Sequence, residues 1–491
     1  MPIMFNELPE NIRLPLAYVE FDNTRAVSGT PTLDYKVMIL GQAATGASGP
    51  LMSPVRVVSA DHAASLWGPE SMIAAQFRAA KKGNSWLETW GIALADNENG
   101  QAAAGIVTLS GVPTASGTLT LYIAGQKVQC KVVAGESAAT LAARFTAAVN
   151  ADPFLPVSAE VAAAAVTLTC KWAGLTGNDI DVRVDVYGEE LPAGLSLTGT
   201  PFSGGTANPD IAPALAVLGD EWWNAFAVPY TDLSNRAVLE YELKERFGPL
   251  KQMEGIAYIA YKGTIGQTQA YGQSGNNHLI SCMGTGLSPH PPWVWSACDA
   301  LVSTYSISNH PARPLQTLEL PGILPPARQD RWRAEDRNPM LYDGISTFTV
   351  SRDDKVSIEK QITMYQDNAY GLPDPSYLDV TTPATLGYFR YAVRSRFTQR
   401  FPRALLMDDS QRIDAASLEG AAVVTPKIAR AEMYALAEEL HEKLIIEDIE
   451  GFKKSLVVER HADNRNRLNM LARPDVVNQF NVLAVLAQFI L

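Results

Sequence analysis

Residues 476–491 read VVNQFNVLAVLAQFIL and carry no charged side chain. In an extended chain one face would carry Phe480, Val482, Leu486 and Ile490, and the other Val485 and Phe489. Neither face suits water. A strand that is apolar on both faces and has free backbone groups is an aggregation hazard unless a defined partner covers it. We therefore predict a linking strand that pairs with another copy of the chain or with another part of its sheet.

The composition is that of a folded, acidic, multidomain protein. A chain of 491 residues exceeds the size at which one core keeps growing, so two to four domains are expected. Only 19% of the residues are charged, somewhat below the usual share, which indicates extra surface buried in an assembly. The net charge of -12 argues against general nucleic-acid binding.

Cysteine content and the terminal segments indicate the compartment. The four cysteines are too sparse for a disulfide framework, which favours a reducing compartment. The first residues contain acidic side chains and prolines where an export signal would need a basic start and an apolar run, so no export signal is expected. The closing run has 16 uncharged residues, several of them Asn or Gln, whereas a membrane span needs about 20 apolar ones. We expect no membrane insertion.

The first 30 residues read as an extended arm with repeated prolines. A short alternating run within it, residues 16–21, forms a second strand without a local hairpin partner. The linking positions predicted in this N-terminal arm are Leu16, Tyr18, Val19 and Phe21. Both ends of the chain thus offer unpaired strands.

An α/β pattern follows the arm and returns later in the chain. The apolar run YKVMILG (35–41) predicts a buried strand, residues 62–81 a helix that restarts near Gly68, and residues 86–94 a further strand. Residues 222–230, 255–261 and 278–284 predict more strands, and 236–247 a helix. We therefore assign 31–100 and 206–375 to one discontinuous α/β core.

Residues 101–205, between the two halves of the core, are rich in Ala, Gly, Thr and Val and predict an inserted β-rich domain. It would hold a hairpin around Gly125 and a helix over 137–150. Residues 376–475 predict a C-terminal α+β domain with two helices, each with a proline in its first turn, and a strand over 452–461. The fold class is thus α/β and α+β multidomain, ending in the linking strand 476–491.

Catalytic and metal signatures are weak. Cys282, His290 and Cys298 lie at long, proline-interrupted separations, unlike structural zinc sites. No GxxxxGK[ST] or GxSxG motif occurs, so neither a phosphate-binding loop nor a hydrolase nucleophile elbow is indicated. We predict no catalytic residue, cofactor or metal. A hydrolase with an appended binding module, using Ser274 or Ser296, is the alternative.

Arginines cluster on the first predicted helix of the C-terminal domain. Arg390 shares a helix face with Arg394, and Arg396 shares one with Arg400. One reading is a solvated helix face with local ion pairs. The other is a set of forks for carboxylates on a neighbouring subunit, which suits an acidic chain better than nucleic acid does.

The terminal arms carry a family resemblance. NIRLPLAYVEFDNTRA (11–26) and NVLAVLAQFIL (481–491) resemble the arms of contractile tail sheath proteins of Mu-like bacteriophages. GNDIDVRV (177–184) and PKIARAEMYALAEELHE (426–442) support the likeness, which covers nearly the whole chain. The core of this family is called subtilisin-like, but the protease motifs GTSMA and HGT are missing here, so no catalysis is carried over.

The resemblance implies a non-enzymatic structural subunit of the virion, made in the host cytoplasm. Such subunits form hexameric rings stacked helically around a tail tube protein, between baseplate and tail terminator proteins. Terminal arms add strands to sheets on adjacent subunits, and contraction of the sheath drives the tube through the host envelope for genome ejection. The remaining alternatives are the hydrolase and another phage tail or baseplate structural protein.

Overall fold

The computed structural model describes residues 32–410 and 423–490, which divide into two compact units. We call residues 34–388 with 476–490 the core unit, and residues 389–475 the C-terminal unit. The predicted linking residues Leu16, Tyr18, Val19 and Phe21 lie outside the described residues.

The core unit contains the following elements. Its strands are β1 (Lys36–Gln42), β2 (Val55–Arg56), β3 (Glu88–Leu94), β4 (Ala102–Gly111), β5 (Gly117–Ile123), β6 (Gln126–Val132), β7 (Val157–Ala162), β8 (Ala165–Ala173), β9 (Val182–Arg183), β10 (Leu195–Ser203), β11 (Ala225–Ala227), β12 (Ile256–Lys262), β13 (Ile280–Gly286), β14 (Ile345–Val350) and β15 (Val356–Lys360). Its helices are α1 (Ala60–Trp67), α2 (Met72–Gly83), α3 (Ala138–Ala151), α4 (Ala212–Ala216), α5 (Leu233–Phe247), α6 (Ile265–Gln273), α7 (Pro292–Asn309) and α8 (Ala334–Tyr342), with short 3-10 turns at Leu175–Asp179 and Arg328–Asp330.

One eight-stranded sheet joins the two stretches of α/β sequence. Its order is β15-β14-β13-β12-β11-β1-β3-β2. The six inner strands run parallel, while β2 and β15 are antiparallel to their neighbours at the two edges. In the centre, Met38 pairs with Phe226 and Phe226 with Ala257. Strands from residues 36–94 and from 225–360 thus form a single sheet.

The apolar run of β1 explains why this sheet is buried on both sides. Val37 and Ile39 belong to a core cluster with residues of α2 and α7, whereas Met38 and Leu40 belong to a cluster with residues of α4 and α5. All four side chains are fully buried. A parallel sheet needs cover on both faces, and strands buried on both faces read as continuous apolar runs.

Residues 102–203 build two smaller antiparallel sheets, β10-β4-β8-β7 and β6-β5-β9. The predicted hairpin is confirmed: β5 and β6 pair from Gly117↔Val132 to Ile123↔Gln126. The predicted helix is confirmed as α3, which Ser137 caps by accepting from the amide of Thr140. Leu141, Phe145 and Val149 bury one face of α3 in the core of this region.

The β-rich region is tied to the sheet by packing and by polar contacts. Trp172 of β8 and Trp293 of α7 meet edge to face with ring centroids 5.4 Å apart. Where the eight-stranded sheet meets the β-rich region, the side-chain amide of Gln42, at the end of β1, donates two hydrogen bonds. One goes to Asp96 at 2.7 Å and the other to the carbonyl of Ala173 at 2.6 Å. Because Gln42 is fully buried, these contacts fix the position of the connection between the sheet and the β-rich region.

The C-terminal unit begins within α9 (Thr381–Arg400) and continues with β16 (Leu405–Leu406), β17 (Val423–Val424), α10 (Pro426–Glu442), α11 (Ile449–Ser455), β18 (Val457–Arg460) and β19 (Leu468–Leu471). Both predicted helices are confirmed as α9 and α10. The strand predicted over 452–461 is wrong in its first half. Asp448 caps α11 there by accepting from the amide of Gly451, and only Val457–Arg460 is a strand.

Candidate assembly site

The C-terminal arm, residues 476–490, is exposed and largely apolar from Phe480 to its end. Residues 481–490 form neither helix nor strand, and all of them are exposed. The apolar side chains predicted to link subunits are among the most exposed in the protein: Phe480 70%, Val482 81%, Val485 75%, Leu486 87%, Phe489 85% and Ile490 99%. An exposed apolar segment of this length indicates an interaction site.

Hydrogen bonds of Gln479 and Phe480 hold the root of the arm on the core unit. The amide of Gln479 donates to the hydroxyl of Thr381 at the start of α9. The amide of Gln316 donates to the carbonyl of Phe480 at 3.2 Å. The segment beyond Phe480 therefore starts from a fixed point and is exposed and largely apolar.

The C-terminal unit contains a two-stranded hairpin, β18–β19, in which Val458 pairs with Met470 and Arg460 with Leu468. The amide of His461 donates to the carbonyl of Arg467, so by the alternation of an antiparallel ladder the backbone groups of these two pairs point outward. On the β18 edge, Arg430 of α10 donates to the carbonyl of Val458 at 3.3 Å.

The other edge of this hairpin is the outer side of β19. Among the described residues no strand pairs with the outer side of β19, where Leu468 and Met470 lie. Val457 and Leu471, which face each other across the pair, are 47% and 50% exposed. The sequence does not predict this edge, because the groups that face outward depend on the register of the hairpin. The sequence signal for the hairpin is a pair of short alternating runs on either side of residues 461–467.

The structure places the arginine cluster within the C-terminal unit. Arg396 pairs with Glu439 of α10, and its second terminal nitrogen lies 3.9 Å from Glu432. Arg400 Nε lies 3.7 Å from the same carboxylate of Glu432. Arg390 and Arg394 also have interaction partners. These contacts are the local ion pairs of the first reading, and a role between subunits stays a prediction.

The serines of the hydrolase alternative have structural partners. Ser296 is fully buried in α7 and donates to the carbonyl of Trp293 at 3.3 Å. Ser274 ends α6; its hydroxyl donates to the carbonyl of Tyr271 at 2.6 Å and accepts from Arg236 at 2.9 Å. Neither hydroxyl is held by a histidine or carboxylate in these hydrogen bonds, so neither shows the activation that nucleophilic catalysis requires.

The histidines of the core unit are half-buried, and its cysteines are buried. Burial lowers the pKa of His290 to about 3, and its Nδ1 accepts from the amide of Leu324 at 2.9 Å. Cys130, Cys170, Cys282 and Cys298 are all free and buried. Burial raises the pKa of the Cys170 thiol to about 12. In residues 32–410 and 423–490, no group of three or more His, Cys, Asp and Glu side chains is placed to hold a metal ion.

The helices of the described chain are too short or too polar to cross a membrane.

The sequence was compared with families of known proteins and with individual proteins. Residues 204–364 match the family "Phage tail sheath protein central domain", and residues 373–490 match "Phage tail sheath C-terminal domain". The Mu-like prophage FluMu tail sheath protein of Haemophilus influenzae is 42% identical over 492 residues, covering 100% of both chains.

Solved structures give a looser likeness. A sheath tail protein of Desulfitobacterium hafniense has a TM-score of 0.49 at 14% identity, covering 94% of this chain and 97% of its own. A sheath tail protein of Listeria innocua has a TM-score of 0.48 at 13% identity, with 91% and 93% covered. The contracted helical sheath of the anti-feeding prophage gives 0.48 at 9% identity, with 98% and 99% covered. The assignment rests on the sequence match.

The chain belongs to the phage tail sheath family. It is a structural subunit of a contractile tail sheath, a component of the virion tail and not an enzyme. The exposed arm and the hairpin edge are thus candidate contacts of an assembling subunit.

Proposed function

We propose that the C-terminal arm is a strand donated to a neighbouring subunit. Beyond its root at Gln479 and Phe480 the arm is exposed and apolar on both faces. Donated strands gain affinity from main-chain hydrogen bonds, and pockets for alternate side chains set the register. The exposure of this arm is the observation that carries the proposal, because such a segment would be a liability in a free monomer.

The outer edge of β19 is the acceptor that fits such a strand. The backbone groups of Leu468 and Met470 point outward there, whereas Arg430 already occupies part of the β18 edge. A two-stranded hairpin is marginal by itself and gains from additional strands. The N-terminal arm, residues 1–30 with Leu16, Tyr18, Val19 and Phe21, would add the other linking strand.

Strand donation of this kind produces a mesh. A heterologous contact between identical subunits closes into a ring or continues as an open helix. We infer hexameric rings stacked helically around a tail tube protein and bounded by baseplate and tail terminator proteins. The subunits would assemble in the host cytoplasm. Contraction then releases energy stored at assembly and drives the tube through the host envelope, while the arms keep subunits linked.

The core unit would be the rigid body that moves during contraction. Its six parallel strands with helices on both faces support a subtilisin-like arrangement without catalysis. The proposed domain division stays that of the sequence: core 31–100 and 206–375, inserted β-rich domain 101–205, C-terminal domain 376–475 and linking strand 476–491. Arg390, Arg394, Arg396 and Arg400 are further candidates for ion pairs between subunits.

A proline in the acceptor edge tests strand donation. The amide of Met470 points away from β18, so Met470→Pro should leave the hairpin ladder intact while removing an edge donor. The purified wild-type chain should form rings or tubes in electron micrographs, whereas Met470→Pro should stay unassembled and Met470→Ala should assemble. Normal tubes from Met470→Pro would contradict β19 as acceptor. A uniformly monomeric wild-type protein at high concentration would contradict self-assembly itself.

A further inference from the structure

The amino-terminal ends of the parallel strands form a second exposed apolar surface. The loop between α2 and β3 and the loop between α5 and β12 both lead into parallel strands of one sheet, so both lie at the same end of it. They contain Trp86 and Leu250, which are 87% and 98% exposed. In the sheet, β11 and β1 separate β12 from β3, so the strands that follow these two loops lie about 14 Å apart at the usual strand spacing.

Val58 extends this surface at the edge of the sheet. β2 is antiparallel to β3, with Arg56 opposite Trp90, and the amide of Val57 donates to the carbonyl of Thr89. Continuing the register by two residues places Val58 opposite Glu88, the first residue of β3 and two residues from Trp86. Val58 is 67% exposed. We call Val58, Trp86 and Leu250 the sheet rim.

The loop that holds Trp86 is pre-organised. The side-chain oxygen of Asn84, which is buried, accepts from the amides of Trp86 and Leu87, each at 2.9 Å. These bonds fix the backbone of the turn, and the indole that it carries is exposed to solvent. Rigid aromatic side chains lose little entropy on binding and are enriched among the residues that dominate interface energy.

Acidic side chains near the sheet rim are paired with basic ones, and Lys81 adds a positive charge close to Arg56. Arg56 lies 3.7 Å from Glu88, and Lys36 pairs with Glu221 next to Trp223. The chain as a whole carries a net charge of -12. Two acidic copies repel each other least where the local charge is neutral, and an apolar centre bordered by paired ions has the composition of a protein interface.

We propose that the sheet rim is a contact surface for a second copy of this chain, with Trp86 as its main anchor. The proposal rests on assembly of the chain into a sheath and adds a contact separate from the donated strands. The surface of the partner copy receives the indole and Leu250 as two apolar anchors.

A cross-linking experiment identifies the partner. The four native cysteines are buried, so Trp86→Cys provides one selectively reactive thiol for a benzophenone-maleimide. The labelled variant is mixed in a small fraction into wild-type protein, so that assembly does not depend on the variant. Irradiation of the assembled sheath should give a covalent dimer of the chain. Cross-links only to a different protein, or none in tubes that contain the label, would overturn the proposal.

The energetic role is tested by Trp86→Ala. We expect at least about a 10-fold rise in the protein concentration needed for assembly, with an unchanged thermal unfolding midpoint. Ser85→Ala, in the same exposed loop, is the matched control, and Trp86→Phe should restore most of the assembly. If the wild type assembles and Trp86→Ala assembles equally well, the sheet-rim contact is contradicted, whereas the proposed sheath assembly is not. Failure of the wild type to assemble would instead count against the proposed sheath assembly.

Discussion

Gly125 lies directly against the ring of His290, so the tight turn of the β5–β6 hairpin packs on the segment that leads into α7. A Cβ at Gly125 would lie 2.5 Å from Nε2 of His290, and the residue has a φ of +78°. Glycine is therefore required twice at this position, once for the left-handed backbone and once for the close approach.

Gly125→Ala should destabilise the protein by at least about 2 kcal/mol, because left-handed strain and overpacking add. Urea unfolding followed by tryptophan fluorescence measures the loss. Gly135→Ala is the matched control: its φ is +80°, but a Cβ there meets nothing within 4 Å. It should cost only about 1 kcal/mol. Equal losses in the two variants would show that the contact with His290 contributes nothing.

The buried carboxyl of Asp299 predicts a pH dependence of stability. Burial raises its pKa from 3.8 to about 6, although Gln361 and Ser303 each donate a hydrogen bond to it. The folded state therefore holds the proton more tightly than the unfolded state. The resulting penalty is absent below about pH 4, grows as the pH rises toward 6, and is complete above it.

Asp299→Asn should remove this penalty. The free energy of unfolding of the variant, relative to wild type, should rise by up to about 3 kcal/mol between pH 4 and pH 7.5. The side-chain oxygen of Gln361 has no hydrogen-bond partner among the described residues, and a flip of that amide lets it accept from the new asparagine. Urea titrations of both proteins at the two pH values measure the difference. A constant offset would show that Asp299 does not titrate in this range.

The pairing of α9 with α10 predicts different roles for two arginines of one helix. The side chain of Arg396 is 14% exposed between Glu439 and Glu432, whereas that of Arg400 is 56% exposed. Arg396→Ala should cost about 2 kcal/mol, because it removes a charge-assisted hydrogen bond from Glu439. The carboxylates of Glu439 and Glu432 are half-buried and keep Lys443 and Arg400 as partners, which limits the loss. Arg400→Ala should cost less than about 1 kcal/mol.

Thermal unfolding of the two arginine variants tests this difference, and assembly in electron micrographs tests a role between subunits. If Arg400→Ala keeps its stability but loses assembly, then Arg400 binds a neighbouring subunit. If Arg396→Ala unfolds no more easily than Arg400→Ala, the half-buried pair of Arg396 and Glu439 does not stabilise the C-terminal unit.

Sequence patterns predicted the elements with a clear period or a clear stop. The strand over 35–41 is β1, the helix restart near Gly68 separates α1 from α2, and the hairpin around Gly125 is present. The fold class was therefore accessible as a mixture of α/β and α+β parts. The extent of one sheet was not, because pairing of β1 with β11 joins residues far apart in sequence.

Helix α7 shows why some elements escaped prediction. The prolines before it were interpreted as interruptions, but Pro292 occupies the first turn, where a proline is tolerated. The helix is also buried on nearly all sides and so has no polar stripe to reveal its period. Trp86 presents the opposite case: it was assigned to a strand, whereas β3 begins at Glu88 and the indole is exposed.

The assembly site was predictable in part. An uncharged arm that is apolar on both faces is visible in the sequence, and the structure shows it exposed beyond Phe480. The acceptor edge on β19 and the sheet rim depend on register and on which end of a sheet a loop occupies. Those relationships exist only in the folded chain.

Removal of the C-terminal arm tests the central claim most directly. A chain that ends at Asp475 retains all the strands and helices described here, so it should remain soluble and folded, with a wild-type circular dichroism spectrum and unfolding midpoint. Electron microscopy at matched concentrations should show tubes for the full chain and none for the truncated one. Normal tubes from the truncated chain would contradict strand donation by residues 476–490.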